Sequence, residues 1–324
     1  MTDPALIAEP SGAAVILPAV TLPGMLIDRG WLRARLDPGS GADAEAGDAA
    51  AADAAEDLVF ADVRWAPQGH AREGYAHGHL PGAICVDVDA DLAAPAFEGP
   101  GRHPLPSPAA FAATMSRLGI GDRTPVIAYD DVGGWVAARL WWMLRALDHE
   151  VALLDLPSLE AWTAEDGALE TGPPRAAAPA AFTRAPWPSD RVVDAATVRR
   201  ALRERSAVLL DARSPERYRG ETEQIDPVAG HVPGAVSAEW AGNLDEEGGL
   251  LDPGALRRRY EALGARPGGE TIASCGSGIT ASFALFAMER AGLGLGRLYE
   301  GSWSDWISDR SRPVATGPDP GEPS

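Results

Sequence analysis

The sequence contains no lysine: all 28 basic residues among its 324 are arginine. Schiff-base chemistry and a P-loop lysine are therefore excluded. Cysteine is nearly as scarce. Cys85 and Cys275 are too few for a disulfide framework or a four-cysteine zinc site, and the count suits a reducing compartment. Positive charge is short overall, with 28 basic against 47 acidic residues and a formal charge of −19. A nucleic-acid partner needs a basic footprint, so none is expected. No apolar run reaches membrane-spanning length; Ala13 to Val20 is short and contains Pro18. The first ten residues carry Asp3 and Glu9 and no base, so the basic start of a signal peptide is missing. A cytoplasmic protein with no membrane partner is expected.

What is present is ordinary globular composition, 45% apolar and 23% charged. The length suits two domains. Residues 37–57 are Ala/Gly/Asp-rich with seven acids and no base, and are expected to form a solvated insertion. Residues 171–190 hold five prolines and have the composition of a semi-stiff linker. Residues 314–324, rich in Pro and Gly, are expected to be a flexible tail.

The linker separates residues 25–170 from 191–313, and these two segments repeat one another. Leu58 to Arg64 matches Val208 to Arg213, each an apolar run closing on Asp-x-Arg. His79-Leu80-Pro81-Gly82-Ala83 matches His231-Val232-Pro233-Gly234-Ala235, Pro125 to Asp130 matches Glu270 to Cys275, and Leu159 to Trp162 matches Trp303 to Trp306. The offsets, taken from Arg64, His79, Asp130 and Trp162 to their partners, are 149, 152, 145 and 144 residues. Four matches in one order indicate a duplication.

Within each unit short apolar runs alternate with helical patterns. Phe111 to Leu118 and Val136 to Leu147 have apolar positions three and four apart, with Arg139 and Arg145 expected on the polar side. Ala281 to Ala291 is the counterpart of the second, and Gly119 and Gly264 stand where helices should stop. The pattern predicts an α/β fold: two small parallel sheets, each covered by helices on both faces.

The distinctive stretch is Thr271 to Ala281. An apolar strand ends, a loop opens with Cys275-Gly276-Ser277-Gly278, and a helix is expected from near Thr280. The carboxyl end of a parallel strand is where ligands bind. Glycines let successive N–H groups curl inward into an anion-binding nest, and a helix N-terminus adds its positive end. An ordinary thiol is only about 3% ionised at neutral pH, and making it mostly thiolate takes about 2.7 kcal/mol. A helix dipole gives ~0.3–1 kcal/mol, so loop amides must supply most of the help. Cys275 is thus the candidate nucleophile. Cys85 lies in an alternating strand after a Pro-Gly turn and is expected in the core. In the first unit the place of Cys275 is held by Asp130, which predicts one active and one silent domain. A Cys-x5-Arg phosphatase needs an arginine six places after the cysteine, where this chain has Ala281. The target is instead expected to be sulfur bonded to carbon or to sulfur.

Together these motifs resemble the tandem-rhodanese sulfurtransferases, over roughly residues 25–313. The residues that carry the resemblance are the two His-x-Pro-Gly-Ala turns, Gly101-Arg102-His103-Pro104-Leu105-Pro106, Asp211-Ala212-Arg213, Arg217-Tyr218-Arg219-Gly220, the Cys275 loop and Gly301 to Trp306. The resemblance implies two rhodanese-like domains, the C-terminal one catalytic. It implies that Cys275 takes sulfur from a small donor, becomes a persulfide held by Gly276, Ser277, Gly278, Ile279 and Thr280, and passes the sulfur to a thiol such as reduced thioredoxin, or to cyanide. No metal and no dissociable cofactor are implied. Arg217 matches the family's substrate-carboxylate arginine, and its bidentate fork suits a 2-oxo acid. Arg213 is expected either to contact substrate or to pair with Asp211. The family's second substrate arginine has no counterpart among Glu221 to Gly230, leaving Arg102 or Arg64 of the first unit as substitutes. Ser277 is a proton donor to the departing enolate or a loop-shaping hydroxyl, and Thr280 a helix cap. His79 and His231 should hold their turns, with His79 and Asp62 as a lesser catalytic option. Trp303 and Trp306 read as core or cleft wall.

The loop Cys-Gly-Ser-Gly-Ile-Thr resembles the 3-mercaptopyruvate branch, whereas the thiosulfate branch carries Cys-Arg-Lys-Gly-Val-Thr. Thiosulfate, a dianion, benefits from two adjacent cations that Gly276 and Ser277 do not supply. 3-Mercaptopyruvate is therefore the expected donor. Thiosulfate:cyanide sulfurtransferase is the alternative, and a non-catalytic sulfur-binding or sensing module is the reading from another class.

Overall fold

The two halves fold into sheets of the same strand order. The computed structural model describes residues 21–36, 58–65, 71–96 and 98–323, so the insertion expected at 37–57 falls outside the described residues. In the first unit the strands are β1 (Leu26–Ile27), β2 (Val59–Arg64), β3 (Ile84–Asp87), β4 (Val126–Tyr129) and β5 (Val151–Leu154). In the second they are β6 (Val192–Val193), β7 (Ala207–Asp211), β8 (Ala235–Ser237), β9 (Glu270–Ser274) and β10 (Arg297–Tyr299). The orders are β1-β5-β4-β2-β3 and β6-β10-β9-β7-β8, and every ladder is parallel. The register repeats as well. Asp62 pairs with Tyr129 across β2 and β4, and Asp211 with Ser274 across β7 and β9. Asp130 and Cys275 are the next residues, at the carboxyl ends of equivalent central strands.

The His-x-Pro-Gly turns are held identically in the two units. His79 stacks on Tyr75 and His231 on Tyr218, each at 3.7 Å between ring centroids, and the Nδ1 atoms meet the Tyr75 and Tyr218 carbonyls at 2.9 and 2.8 Å. Each tyrosine hydroxyl donates 2.6 Å to the alanine carbonyl closing its turn, Ala83 or Ala235. A hydrogen bond to the histidine is thus matched by an aromatic lid of large apolar area.

Two helices join the units. Ala137–Ala146 and Ile279–Arg290 each follow a central-strand loop and pack against one another, with Trp141 edge-on to Phe286 at 4.9 Å. One apolar core runs through both, so the units bury a common interior. This packing corrects one expectation. Arg139 is fully buried, because the second face of its helix is covered by the other unit, while Arg145 does reach the rim and pairs with Glu289 at 2.7 Å. Cys85 is only half-buried, because β3 is an edge strand; burial and Asp62 push its thiol up to about 12.

The linker lies along the first unit. Ala180 N–H donates to the Ser116 carbonyl at 3.0 Å and Trp187 Nε1 to the Pro106 carbonyl at 2.8 Å. The C-terminal residues depart from the flexible tail expected of them. Ala315 exchanges backbone hydrogen bonds with His231 at 2.8 and 3.0 Å, and Gly317 N–H donates to the Arg219 carbonyl at 2.9 Å. Buried backbone groups at the His231 turn need partners, and this segment supplies them.

Candidate active site

The loop that opens with Cys275 is clamped from below by the short helix Ser302–Trp306. Cys275 N–H donates to Ser302 Oγ, the Cys275 carbonyl accepts from Trp303 N–H, and the Gly276 carbonyl accepts from Ser304 N–H, all at 3.0 Å. Gly278 closes the loop at φ +83°, where its N–H points back and donates to Cys275 Sγ at 3.1 Å. A Cβ on Gly278 would stand 2.8 Å from the Glu300 carbonyl oxygen, so space and φ both demand glycine. The helix begins at Ile279 with Gly278 as its N-cap, which removes Thr280 from the capping role expected of it.

The equivalent loop of the first unit shows what this backbone does to an anion. The Asp130 carboxylate, fully buried, accepts from the N–H groups of Val132, Gly134, Val136 and Ala137 at 2.7–3.0 Å. The nest of N–H groups survives there and is filled by the protein's own carboxylate.

Ser277 contacts a residue 174 positions away. Its Oγ lies 2.7 Å from His103 Nδ1, and His103 Nε2 lies 3.1 Å from Asp89 Oδ1. Burial, together with Arg139 and Arg102, holds the His103 imidazole down at about 4 from an ordinary 6.5, so the ring is neutral at physiological pH. Asp89 then accepts from Nε2–H, and Nδ1 accepts from the Ser277 hydroxyl. Arg139 braces the join between the units. Its guanidinium donates to the His103 carbonyl at 3.0 Å and to the Gly278 carbonyl at 3.3 Å. Burial draws Arg139 down to about 10 against the pull of Glu300, which leaves it charged.

The expected arginines separate. Arg217 sits at the mouth of the loop, in the short helix Pro215–Arg219, and Arg102 of the first unit reaches the same place. Built on Gly276, a Cβ would lie 3.0 Å from Arg102 Nη2 and 3.6 Å from each Arg217 Nη. Arg213 lies beneath Trp303, its Cζ 4.7 Å from the ring centroid, and spends its fork on Asp211 at 2.6 Å and the Gly230 carbonyl at 2.7 Å. Of the two roles expected for it, the ion pair is the one it makes. Arg64 stays in the first unit, paired with Asp62 and Asp131. His79 stacks on Tyr75, and Asp62 is taken up by Arg64. Trp303 and Trp306 are buried against the second sheet.

Sequence reasoning missed Asp89 and Arg139 and left His103 as one letter of a motif. Its Gly-Arg-His-Pro context was the available signal; no spacing rule links positions 89, 103 and 277.

The family profile of the rhodanese-like domain matches residues 45–165 and again 194–309. The chain belongs to the rhodanese-like family. Among relatives within this family, a Pseudomonas aeruginosa protein named "Probable 3-mercaptopyruvate sulfurtransferase" is 45% identical over 267 residues, covering 81% of this chain and 93% of its own. A Mycobacterium tuberculosis protein named "Putative thiosulfate sulfurtransferase SseB" is 38% identical over 270 residues, covering 82% of this chain and 93% of its own. The crystal structure of the 3-mercaptopyruvate sulfurtransferase SseA from Escherichia coli superposes with a TM-score of 0.69 at 31% identity, covering 86% of this chain and 99% of that one. Both rhodanese-like units therefore lie within the matched span.

Proposed function

We propose that the protein is a sulfurtransferase that takes sulfur from 3-mercaptopyruvate onto Cys275 and gives it to a thiol or to cyanide. The observation that carries this reading is an Asp89–His103–Ser277 hydrogen-bonded chain, its imidazole neutral, that ends in the same loop as a cysteine whose Sγ accepts an N–H at 3.1 Å. The Cys275 thiolate attacks the donor's sulfur, an S–S bond forms, and the C–S bond breaks with its electron pair on the enolate of pyruvate. The proton of the donor's thiol passes to the enolate carbon by way of the Ser277 hydroxyl, which His103 positions, giving pyruvate and an anionic persulfide. The N–H groups of the loop stabilise that persulfide as their counterparts stabilise the Asp130 carboxylate. Arg217 and Arg102, one from each unit, hold the donor's carboxylate. In the second half-reaction the acceptor thiolate, such as that of reduced thioredoxin, attacks the outer sulfur and Cys275 leaves as thiolate.

One observation favours thiosulfate as a second donor. Arg102 brings to Gly276 a cation that the loop itself lacks, so two guanidiniums stand where a dianion would bind.

The test is intact mass and peptide mapping after brief incubation with each donor. One added sulfur on Cys275 from 3-mercaptopyruvate alone supports the reading, and loading from thiosulfate alone transfers it to the second donor. Cys275→Ser should lose all transfer while Cys85→Ser keeps it; transfer by Cys275→Ser removes the mechanism. Loading once without turnover in excess donor and acceptor would mark a sulfur-storing module.

A further inference from the structure

The two arginines at the donor site already hold a carboxylate, and it is the protein's own. Asp226 Oδ1 is in close contact with Arg102 Nη1, while Asp226 Oδ2 accepts from Arg217 Nη2 at 3.0 Å. A single side chain thus spans one guanidinium from each unit. Its carboxylate is 3% exposed, whereas the arginines keep 31% and 20% of their surface, so the arginines are open to solvent and the anion between them is covered.

Asp226 stands in residues 221–230, which form neither helix nor strand. Glu223 folds this segment back on itself, its Oε1 accepting from Ile225 and Asp226 N–H at 3.0 Å each while also holding Arg217. Ile225, beside it, projects outward and is 56% exposed. The far end is tied by Trp303 Nε1, which donates to the Val228 carbonyl at 2.9 Å, directly beside the Cys275 loop. Cys275 itself is buried at 3%. With Asp226 in place, one nitrogen of each guanidinium, Arg102 Nη1 and Arg217 Nη2, is already taken by a carboxylate.

We propose that Asp226 is a resident stand-in for the donor's carboxylate, and that donors bind by exchanging with it at Arg102 and Arg217 while the 225–228 turn swings outward. This inference rests on the sulfurtransferase reading for its donor. Exchange makes Asp226 a specificity-determining residue. A donor bringing a carboxylate or sulfonate replaces the anion it expels and leaves both guanidiniums paired. A neutral organic polysulfide would leave Arg102 without a carboxylate and Arg217 with Glu223 alone, and so opens the site poorly.

Asp226→Asn keeps the shape and removes the charge. Its expected effect is a KM for 3-mercaptopyruvate about tenfold lower with kcat changed less than about twofold, because a charge-assisted contact no longer has to be broken. The dissociation constant for pyruvate, an unreactive 2-oxo acid, should fall by a similar factor in calorimetry. The Asp226→Asn/Arg102→Ala double variant should lose this gain, since one of the two forks is then gone. Unchanged or weaker pyruvate binding by a folded Asp226→Asn would overturn the exchange and show a carboxylate that merely orients the arginines. Absence of sulfur on wild-type Cys275 beside a tighter pyruvate complex in Asp226→Asn would support the exchange and remove the sulfurtransferase reading instead. Asp226→Ala gives the same comparison should the asparagine bind Arg217 through its own carbonyl.

Discussion

Substituting alanine for Gly278 tests the loop at its most constrained point. The residue sits at φ +83°, and for a residue with a Cβ a left-handed backbone costs about 1–2 kcal/mol. The added Cβ also falls 2.8 Å from the Glu300 carbonyl oxygen and 3.1 Å from Arg139 Nη1. Neither neighbour yields easily. The first is backbone, and the second is a fully buried side chain tied to the His103 carbonyl at 3.0 Å. Relief must come from the loop, and overpacking of this kind costs about 1–3 kcal/mol. The expected loss of stability is therefore about 2–5 kcal/mol. Moving Gly278 also withdraws the N–H that meets Cys275 Sγ at 3.1 Å. Loss of one such donor slows related reactions by about 10²–10³-fold, and persulfide formation should slow on that scale. Urea denaturation gives the first quantity and rapid-quench mass measurement of sulfur loading the second. Gly276→Ala is the control. Its φ is not left-handed and its nearest neighbour is the end of the long Arg102 side chain, so it should fold normally and alter donor KM. A Gly278→Ala protein with wild-type stability and loading rate would refute both the steric reasoning and the role given to this N–H.

Asp130→Ala should cost several kcal/mol, because four buried N–H groups lose their acceptor at roughly 1–3 kcal/mol each; a melting temperature close to wild type would show that water replaces the carboxylate freely. Where it folds, this variant should still load sulfur on Cys275. His103 carries a pH dependence of definite sign. Its folded value of about 4 lies below the ordinary 6.5, so protons favour the unfolded chain, and stability should fall by about 3 kcal/mol as pH drops from 6.5 towards 4. Denaturation midpoints across that range should flatten in His103→Gln; an unchanged slope would remove His103 as its source.

Much of this architecture is legible in the amino-acid sequence because duplication writes it twice. The matched Asp-x-Arg and His-x-Pro-Gly segments fall on equivalent strands and turns, and the Asp130–Cys275 correspondence is reproduced in the register of the two sheets. The place of the Cys275 loop is legible too, since glycines after a cysteine at the end of an apolar run mark a tight turn into a helix. Arg139 was not. Helical periodicity finds one buried face, and the helix Ala137–Ala146 has two, the second covered by Phe286 and its neighbours from the other unit. His103 and Asp89 were missed for a related reason: they reach Ser277 only through packing between units, which no local pattern encodes. The anchoring of the tail is not legible either, because Pro and Gly mark irregular backbone without saying whether that backbone has partners.

The placement of Cys275 on one half and of Asp89, His103 and Arg102 on the other has an evolutionary consequence. After a duplication, either copy is ordinarily free to decay. Here the copy that carries Asp130 at the cysteine position also supplies His103 and Arg102 to the Cys275 loop, so its loss would leave that loop without them. Specialisation of this kind works as a ratchet. On the proposed mechanism the two copies share one site, and trimming the chain to its C-terminal half would break the contact between Ser277 and His103 on which that mechanism draws.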